Sequence, residues 1–173
     1  MMPRLTEITE RNDQNQAAYD YLQKTRGAVR GGFAVMLASP DVAQRIAHVG
    51  TYVRFESPLP PHLRELAAVA VSAELENPAE YVVHARQCRQ LGMGEDLLAA
   101  VIGRAPVAGA SADEMLAIDC ARELTRDHKL SDATFAAARA RLGDRGVVDL
   151  IAAIGYYAML AVCHVALGIQ PGK

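Results

Sequence analysis

The chain has no tryptophan, only 5% aromatic residues and no run of basic side chains; 18 Lys and Arg stand against 20 Asp and Glu, a formal charge of −2. Nucleic-acid binding rests on a basic footprint and stacking rings, and neither is present, so no nucleic-acid partner is expected. Cysteine is scarce as well. Cys88, Cys120 and Cys163 are odd in number, widely separated and form no CxxC, which fits neither a disulfide framework nor a zinc knuckle and points to a reducing compartment. His48, His62 and His128 have no companions at metal-ligand spacing, and neither HxH nor HxxxH occurs, so no metal and no cofactor is expected. The segment from Met1 to Gln16 carries Glu7, Glu10, Arg11 and Asp13 and has no apolar h-region, so no secretory leader is expected and the cytoplasm is the default.

What the chain does have is alanine, 31 of 173 residues, and apolar positions recurring at three- and four-residue spacing with few alternating β-branched runs. The expected class is all-α, in a single domain over 1–173, with no linker long enough to divide it. A polar helix is expected over 6–24, broken by Gly27 to Gly32, then a short apolar turn or helix over 33–38. Ser39-Pro40-Asp41 starts a helix running to about Phe55, and Pro58, Pro60 and Pro61 separate it from the next, about 61–75. That helix turns apolar after Arg64-Glu65. Asn77-Pro78-Ala79-Glu80 reads as N-cap, N1 proline and N3 glutamate of a helix that Gly92 closes. A short helix over about 95–103 follows, then a capping box at Ser111 to Glu114 opening a helix to about His128. Ser131-Asp132 starts another, which Gly143 ends.

From Leu150 to Ile169 twenty residues pass without a formal charge, the length a bilayer span needs. Gly155, Gly168, Tyr156-Tyr157 and His164 within it, and the lack of flanking basic anchors, favour a helix buried on all sides over a membrane span. A 173-residue helical domain covers such a helix only with the help of a partner subunit, which implies a homo-oligomer.

Glu80 and His84 are four apart and share one helix face, where a carboxylate can orient an imidazole or share a proton with it. Asn77, Tyr81 and Cys88 belong to that stripe by spacing. Glu80 could equally tie back to the Asn77 backbone as a cap. Glu65, at the edge of the most apolar part of its helix, needs a partner, because an unpaired buried carboxylate is costly. Arg64 or Arg54 could supply it as an ordinary ion pair. The short connection makes 61–75 and 78–91 an antiparallel hairpin, which can bring Glu65 to the Glu80–His84 stripe. With two carboxylates in one small apolar site, either one carboxyl is raised or His84 is held as an imidazolium between them.

The stretch from Tyr52 to Met93, with Arg64-Glu65-Leu66 and Glu80-x3-His84, and the later Gly146 to Gly168, with Asp149-Leu150 and Gly155-Tyr156-Tyr157, resembles the carboxymuconolactone decarboxylase family. Its fold is shared with the alkylhydroperoxidase D proteins. The resemblance spans about 33–168, leaving 1–32 as an N-terminal helical extension. It implies an alkylhydroperoxidase D-like helical domain with a central antiparallel hairpin and a buried C-terminal helix, assembled as a trimer or hexamer. In the peroxidase branch a CxxC pair lies seven and four residues before a histidine, and a glutamate nineteen before it. Counted from His84, the glutamate is Glu65, but the cysteine positions hold Asn77 and Glu80. Thiol peroxidase chemistry needs a thiolate and a resolving thiol, so it is not expected; Cys88 reads as a buried structural thiol. The resemblance instead implies an acid–base enzyme acting on a small carboxylate or lactone, or a non-catalytic binding protein of the same fold. Glu65, Glu80 and His84 are the candidate catalytic residues, with Arg54, Tyr81, Tyr156 and Tyr157 as candidate substrate contacts. His164 stands where the family tends to have an aliphatic residue, and its place near Gly168 suggests a helix-end cation.

Overall fold

In the computed structural model, which describes residues 3–170, the chain forms α1 (Gln16–Arg26), α2 (Gly32–Met36), α3 (Pro40–Thr51), α4 (Pro61–Glu74), α5 (Pro78–Gln90), α6 (Glu95–Ile102), α7 (Ala112–Arg126) and α8 (Asp132–Leu167). No strand occurs among the described residues. The ends of the expected 1–173 domain lie outside them.

Helix α4 is the axis of the bundle. Every residue from Glu65 to Ala73 is buried, and α5, α7 and α8 pack around it. Its alanines at 67, 68, 70 and 73 let those helices approach closely. The α4–α5 connection is the expected tight one, closed by the Asn77 amide donating to the Ser72 carbonyl at 2.7 Å. The hairpin is therefore antiparallel and brings the start of α5 alongside α4.

Two expectations need correction. The first helix begins at Gln16 rather than near residue 6, because asparagine side chains capture the preceding backbone. The Asn12 amide donates to Asn15 Oδ1, the Asn15 side chain donates to the Glu10 carbonyl, and such local bonds compete with helix formation. Residues 3–15 instead run over the bundle, the Arg4 amide donating to Leu167 and the Ile8 amide to Ala34. Second, the expected helix over 40–55 ends at Thr51 and continues as a π-helical turn, Tyr52–Glu56. The C-terminal helix packs one face into the core and leaves the other uncovered in the single protomer. Val148, Ile151, Met159, Val162 and Val165 line one exposed apolar face of α8, Val162 being 64% exposed, while Leu150, Ala153, Ile154, Tyr157 and Leu160 face the core. This helix is long and apolar enough to cross a membrane, but its inner face is part of the hydrophobic core.

Glycine does end the helix begun at Ser131, as expected. At Gly143 the backbone turns to φ 67°, ψ 176°, a conformation that favours glycine, and the helix resumes beyond it without a loop. The Ser111–Glu114 capping box is formed in both directions.

Candidate functional site

Two residues of α5 one turn apart, Glu80 and His84, face Glu65 across the hairpin. The imidazole of His84 is 4% exposed and lies between two carboxylates: Nδ1–H donates to Glu65 Oε2 at 2.6 Å, and Nε2 lies 3.2 Å from Glu80 Oε2. Glu65, 6% exposed, is held at its other oxygen by Arg64, whose Nε and Nη2 each donate to Oε1 at 3.1 Å. Both partners weighed for Glu65, an arginine and the Glu80–His84 stripe, are thus used at once.

Glu80 does not act as a cap. Asn77 occupies the N-cap position, but its side chain makes no cap bond, and its buried Nδ2 has no partner. Glu80 points inward instead, between His84 and His164. Burial by itself would push His84 down and the carboxyls up. The hydrogen bonds and charges between them outweigh it, so His84 is raised and Glu65 and Glu80 are lowered. The arrangement therefore favours the imidazolium form of His84 between two carboxylates.

A cavity of about 380 Å³ opens on this cluster. Glu80, Val83 and His84 form its α5 wall; Tyr156, Tyr157, Leu160 and His164 come from α8, Arg54 and Phe55 from the π-helical turn, Arg26 from the end of α1, Arg30 from the α1–α2 connection and Phe33 from α2. Three arginines against one lining carboxylate make it a site for an anion. The Arg26 guanidinium lies 4.6 Å from the Phe33 ring centre and donates to the Ala47 carbonyl, while its buried Nε has no partner. Phe55, 58% exposed, stands at the rim.

The expected substrate contacts Arg54, Tyr156 and Tyr157 all line the cavity. Tyr157 packs edge-on against His84, with ring centres 4.6 Å apart, and its buried hydroxyl has no protein partner. Burial, above all, and the nearby carboxylate Glu65 keep that phenol protonated. Tyr156 fits because residue 50 is glycine: a Cβ there would lie 2.2 Å from the Tyr156 hydroxyl. Tyr81 is the exception. One residue along a helix turns the side chain by about 100°, which carries Tyr81 from Glu80 toward the core side of α5 shared with Cys88, and it packs against the core rather than lining the cavity. Arg64 is bound to Glu65, and Arg86, on the outer side of α5, is exposed.

His164 is also corrected. It is buried, lies on the cavity wall with Nδ1 3.4 Å from Glu80 Oε1, and is lowered by burial, against the attraction of Glu80, so it is not a helix-end cation. Sequence reasoning missed Arg26, Arg30, Phe33 and His164 as parts of the site. Asp149, from the family-like stretch, accepts from the Tyr52 hydroxyl at 2.8 Å and so ties α8 to the turn that presents Arg54. Cys88 and Cys120 are buried free thiols, both pushed up to about 12, chiefly by burial. Among the described residues no group of three His, Cys, Asp or Glu is placed to hold a metal ion.

Comparison with known proteins agrees with this fold. A crystal structure of a peroxidase-related protein from Silicibacter sp. TM1040 aligns over 99% of this chain and 90% of its own, with 22% identity and a TM-score of 0.76. An alkylhydroperoxidase AhpD core protein from Ralstonia eutropha JMP134 covers 98% and 90%, with 18% identity and a TM-score of 0.77. A cysteine variant of the debrominase Bmp8 in complex with 2,3,4-tribromopyrrole covers 99% and 95%, with 12% identity and a TM-score of 0.70. No curated protein matches the chain in sequence. Residues 40–123, which include the α4–α5 hairpin with Glu65, Glu80 and His84, match the carboxymuconolactone decarboxylase family. Through these residues the chain is similar to the carboxymuconolactone decarboxylase family, and its all-α fold is AhpD-like.

Proposed function

We propose that the protein is an acid–base enzyme that decarboxylates a small unsaturated carboxylate or lactone. The observation that carries this is His84 held between Glu65 and Glu80 on the wall of an arginine-lined cavity; the family resemblance adds that Asn77 and Glu80 stand where a thiol peroxidase would need its cysteines. Arg26 and Arg54 bind substrate carboxylates, and Phe33 and Phe55 flank a flat ring. As the bond to the departing carboxylate breaks and CO2 leaves, its electron pair spreads into the adjacent unsaturated lactone. The unpartnered Tyr157 hydroxyl donates to the oxygen where charge develops, and His84 delivers its Nε2 proton to carbon. Glu65 keeps the imidazole oriented through Nδ1 throughout. A debrominase of the same fold bound to a tribromopyrrole supports a small ring as ligand.

The exposed apolar face of α8 supports a homo-oligomer, and three free cysteines fit a cytoplasmic setting. The test of the activity is a panel of lactones and β-keto or muconate-type acids, followed by CO2 release, with the native protein and His84→Ala side by side. Turnover lost in the variant supports the assignment. Binding without turnover favours a non-catalytic small-molecule-binding protein of the same fold, and turnover that survives in His84→Ala overturns the role of His84.

A further inference from the structure

Each decarboxylation consumes one proton, because a carbon that loses CO2 takes H⁺ in its place. In the proposed reaction that proton comes from His84, whose two nitrogens face Glu65 and Glu80 and which is almost fully buried. A route must return it. Behind Glu80 lies a second cavity of about 390 Å³, bounded by Glu7 and Gln170 and sharing Arg30, Gly32, Glu80 and His164 with the first. His164 therefore stands in the partition between the two cavities.

We propose that His164 is the proton port of the site, taking up protons on the side of the second cavity and passing them through Glu80 to His84. Three observations carry it. The His164 imidazole is 4% exposed, and its Nδ1 makes no well-formed hydrogen bond, its near neighbour being the Glu80 carboxylate alone. That nitrogen lies 3.4 Å from Glu80 Oε1, while the other carboxylate oxygen is 3.2 Å from His84 Nε2, so Glu80 bridges the two rings. Residue 32 is glycine without a positive φ to require it, and a Cβ there would lie 2.2 Å from His164 Nε2. The missing side chain makes room for the imidazole.

The transfer balances without any co-reactant. A proton from water enters the His164 ring, the Nδ1 proton passes to Glu80 Oε1, and the carboxyl group turns about its Cγ–Cδ bond to present that proton to His84 Nε2. His164 is left neutral as its Nε2–H tautomer and regains Nδ1–H by exchange with water, while Glu80 returns to carboxylate and His84 to imidazolium. The groups facing His164 are Glu80 from α5, Glu7 from the N-terminal segment and Arg30 from the segment before α2, with His84 beyond Glu80. Burial lowers His164 while the two carboxylates raise His84, so the proton moves from the weaker base to the stronger.

This port rests on the proposed role of His84 as proton donor, but its test needs no substrate. The exchange of the His84 ring N–H protons with water is measured by NMR on histidine-labelled native protein, His164→Gln and His164→Leu, with helical circular dichroism as the check on folding. Glutamine fills similar space and bonds to Glu80 but cannot take up a proton. Exchange slowed about tenfold or more in His164→Gln, and restored by added imidazole buffer, is the expected result. Exchange at the native rate in that variant overturns the port, whether or not the leucine variant folds. Absence of turnover across the substrate panel would refute the decarboxylase assignment and leave the exchange result standing.

Discussion

Replacing Glu65 with glutamine removes one charge from the buried cluster while keeping its shape. An amide can accept from Arg64 or from His84 Nδ1–H, but its NH2 group must then face the other donor. His84 loses the 2.6 Å bond and the charge that help to hold it protonated, so its pKa falls. Breaking a buried ion pair by removing one partner costs about 3–5 kcal/mol, and the Arg64 contact that survives places this case near 3 kcal/mol. The sign with pH follows from linkage. A histidine raised in the folded state contributes stability that is fully present below its unfolded value of about 6.5 and is lost as pH rises through the folded value. The penalty in Glu65→Gln is therefore largest near pH 6 and narrows toward pH 9, by about 1.4 kcal/mol for each unit by which the variant's His84 is lowered. Urea unfolding of both proteins at the two pH values measures it, and for a chain of this size about 3 kcal/mol corresponds to roughly 6–12 °C in Tm. An equal penalty at both pH values would refute the imidazolium between two carboxylates.

Four further outcomes are expected. His84→Gln keeps the fold but lowers turnover about a hundredfold or more, read as kcat on whichever panel substrate the native protein converts. Arg54→Ala raises KM for a carboxylate substrate about tenfold or more, with a smaller effect on kcat and a weaker dependence on salt, measured by steady-state kinetics at two ionic strengths. Cys88→Ala leaves turnover unchanged, and in the native protein the Cys88 thiol resists alkylation at pH 7, since a group at about 12 is ionised in roughly one molecule in 100,000; mass mapping of alkylated peptides reads this directly. Val162→Glu shifts the sedimentation profile to smaller species, whereas a native protein that already sediments as a monomer of about 18.6 kDa contradicts assembly through α8.

The central cluster was legible because its geometry is local. A four-residue spacing on one helix and a tight hairpin suffice to bring Glu80, His84 and Glu65 together, and the cost of a buried carboxylate demands the contact. The rest of the cavity is written in tertiary packing. Arg26, Arg30 and Phe33 reach it from a segment some fifty residues earlier, with nothing in their own neighbourhood to mark them. His164 read as a helix-end residue because it lies one turn before Gly168; its true surroundings, Gly32 and Glu80, come from two other elements. Tyr81 was misplaced by treating a broad stripe as one face, when the cavity and the core divide that stripe between them. At the N-terminus the helical pattern was real, but Asn12 and Asn15 use the backbone groups that an earlier helix start would need. The last helix is apolar on every face in sequence, and in the single protomer its outer face is uncovered.

That last helix behaves mechanically as an axle. From Gly143 to its end it carries Tyr156, Tyr157 and His164 inward and Val148, Val162 and Val165 outward, with no hinge between. Side-chain atoms sit roughly 5–6 Å from a helix axis, so a turn of about 10° about that axis moves them by about 1 Å. A displacement of that size at reacting groups costs on the order of a hundredfold in rate. A second copy seated on the outer valines would thus set the angular position of the inner rings, and the tolerance of the proposed chemistry would become the tolerance of that grip.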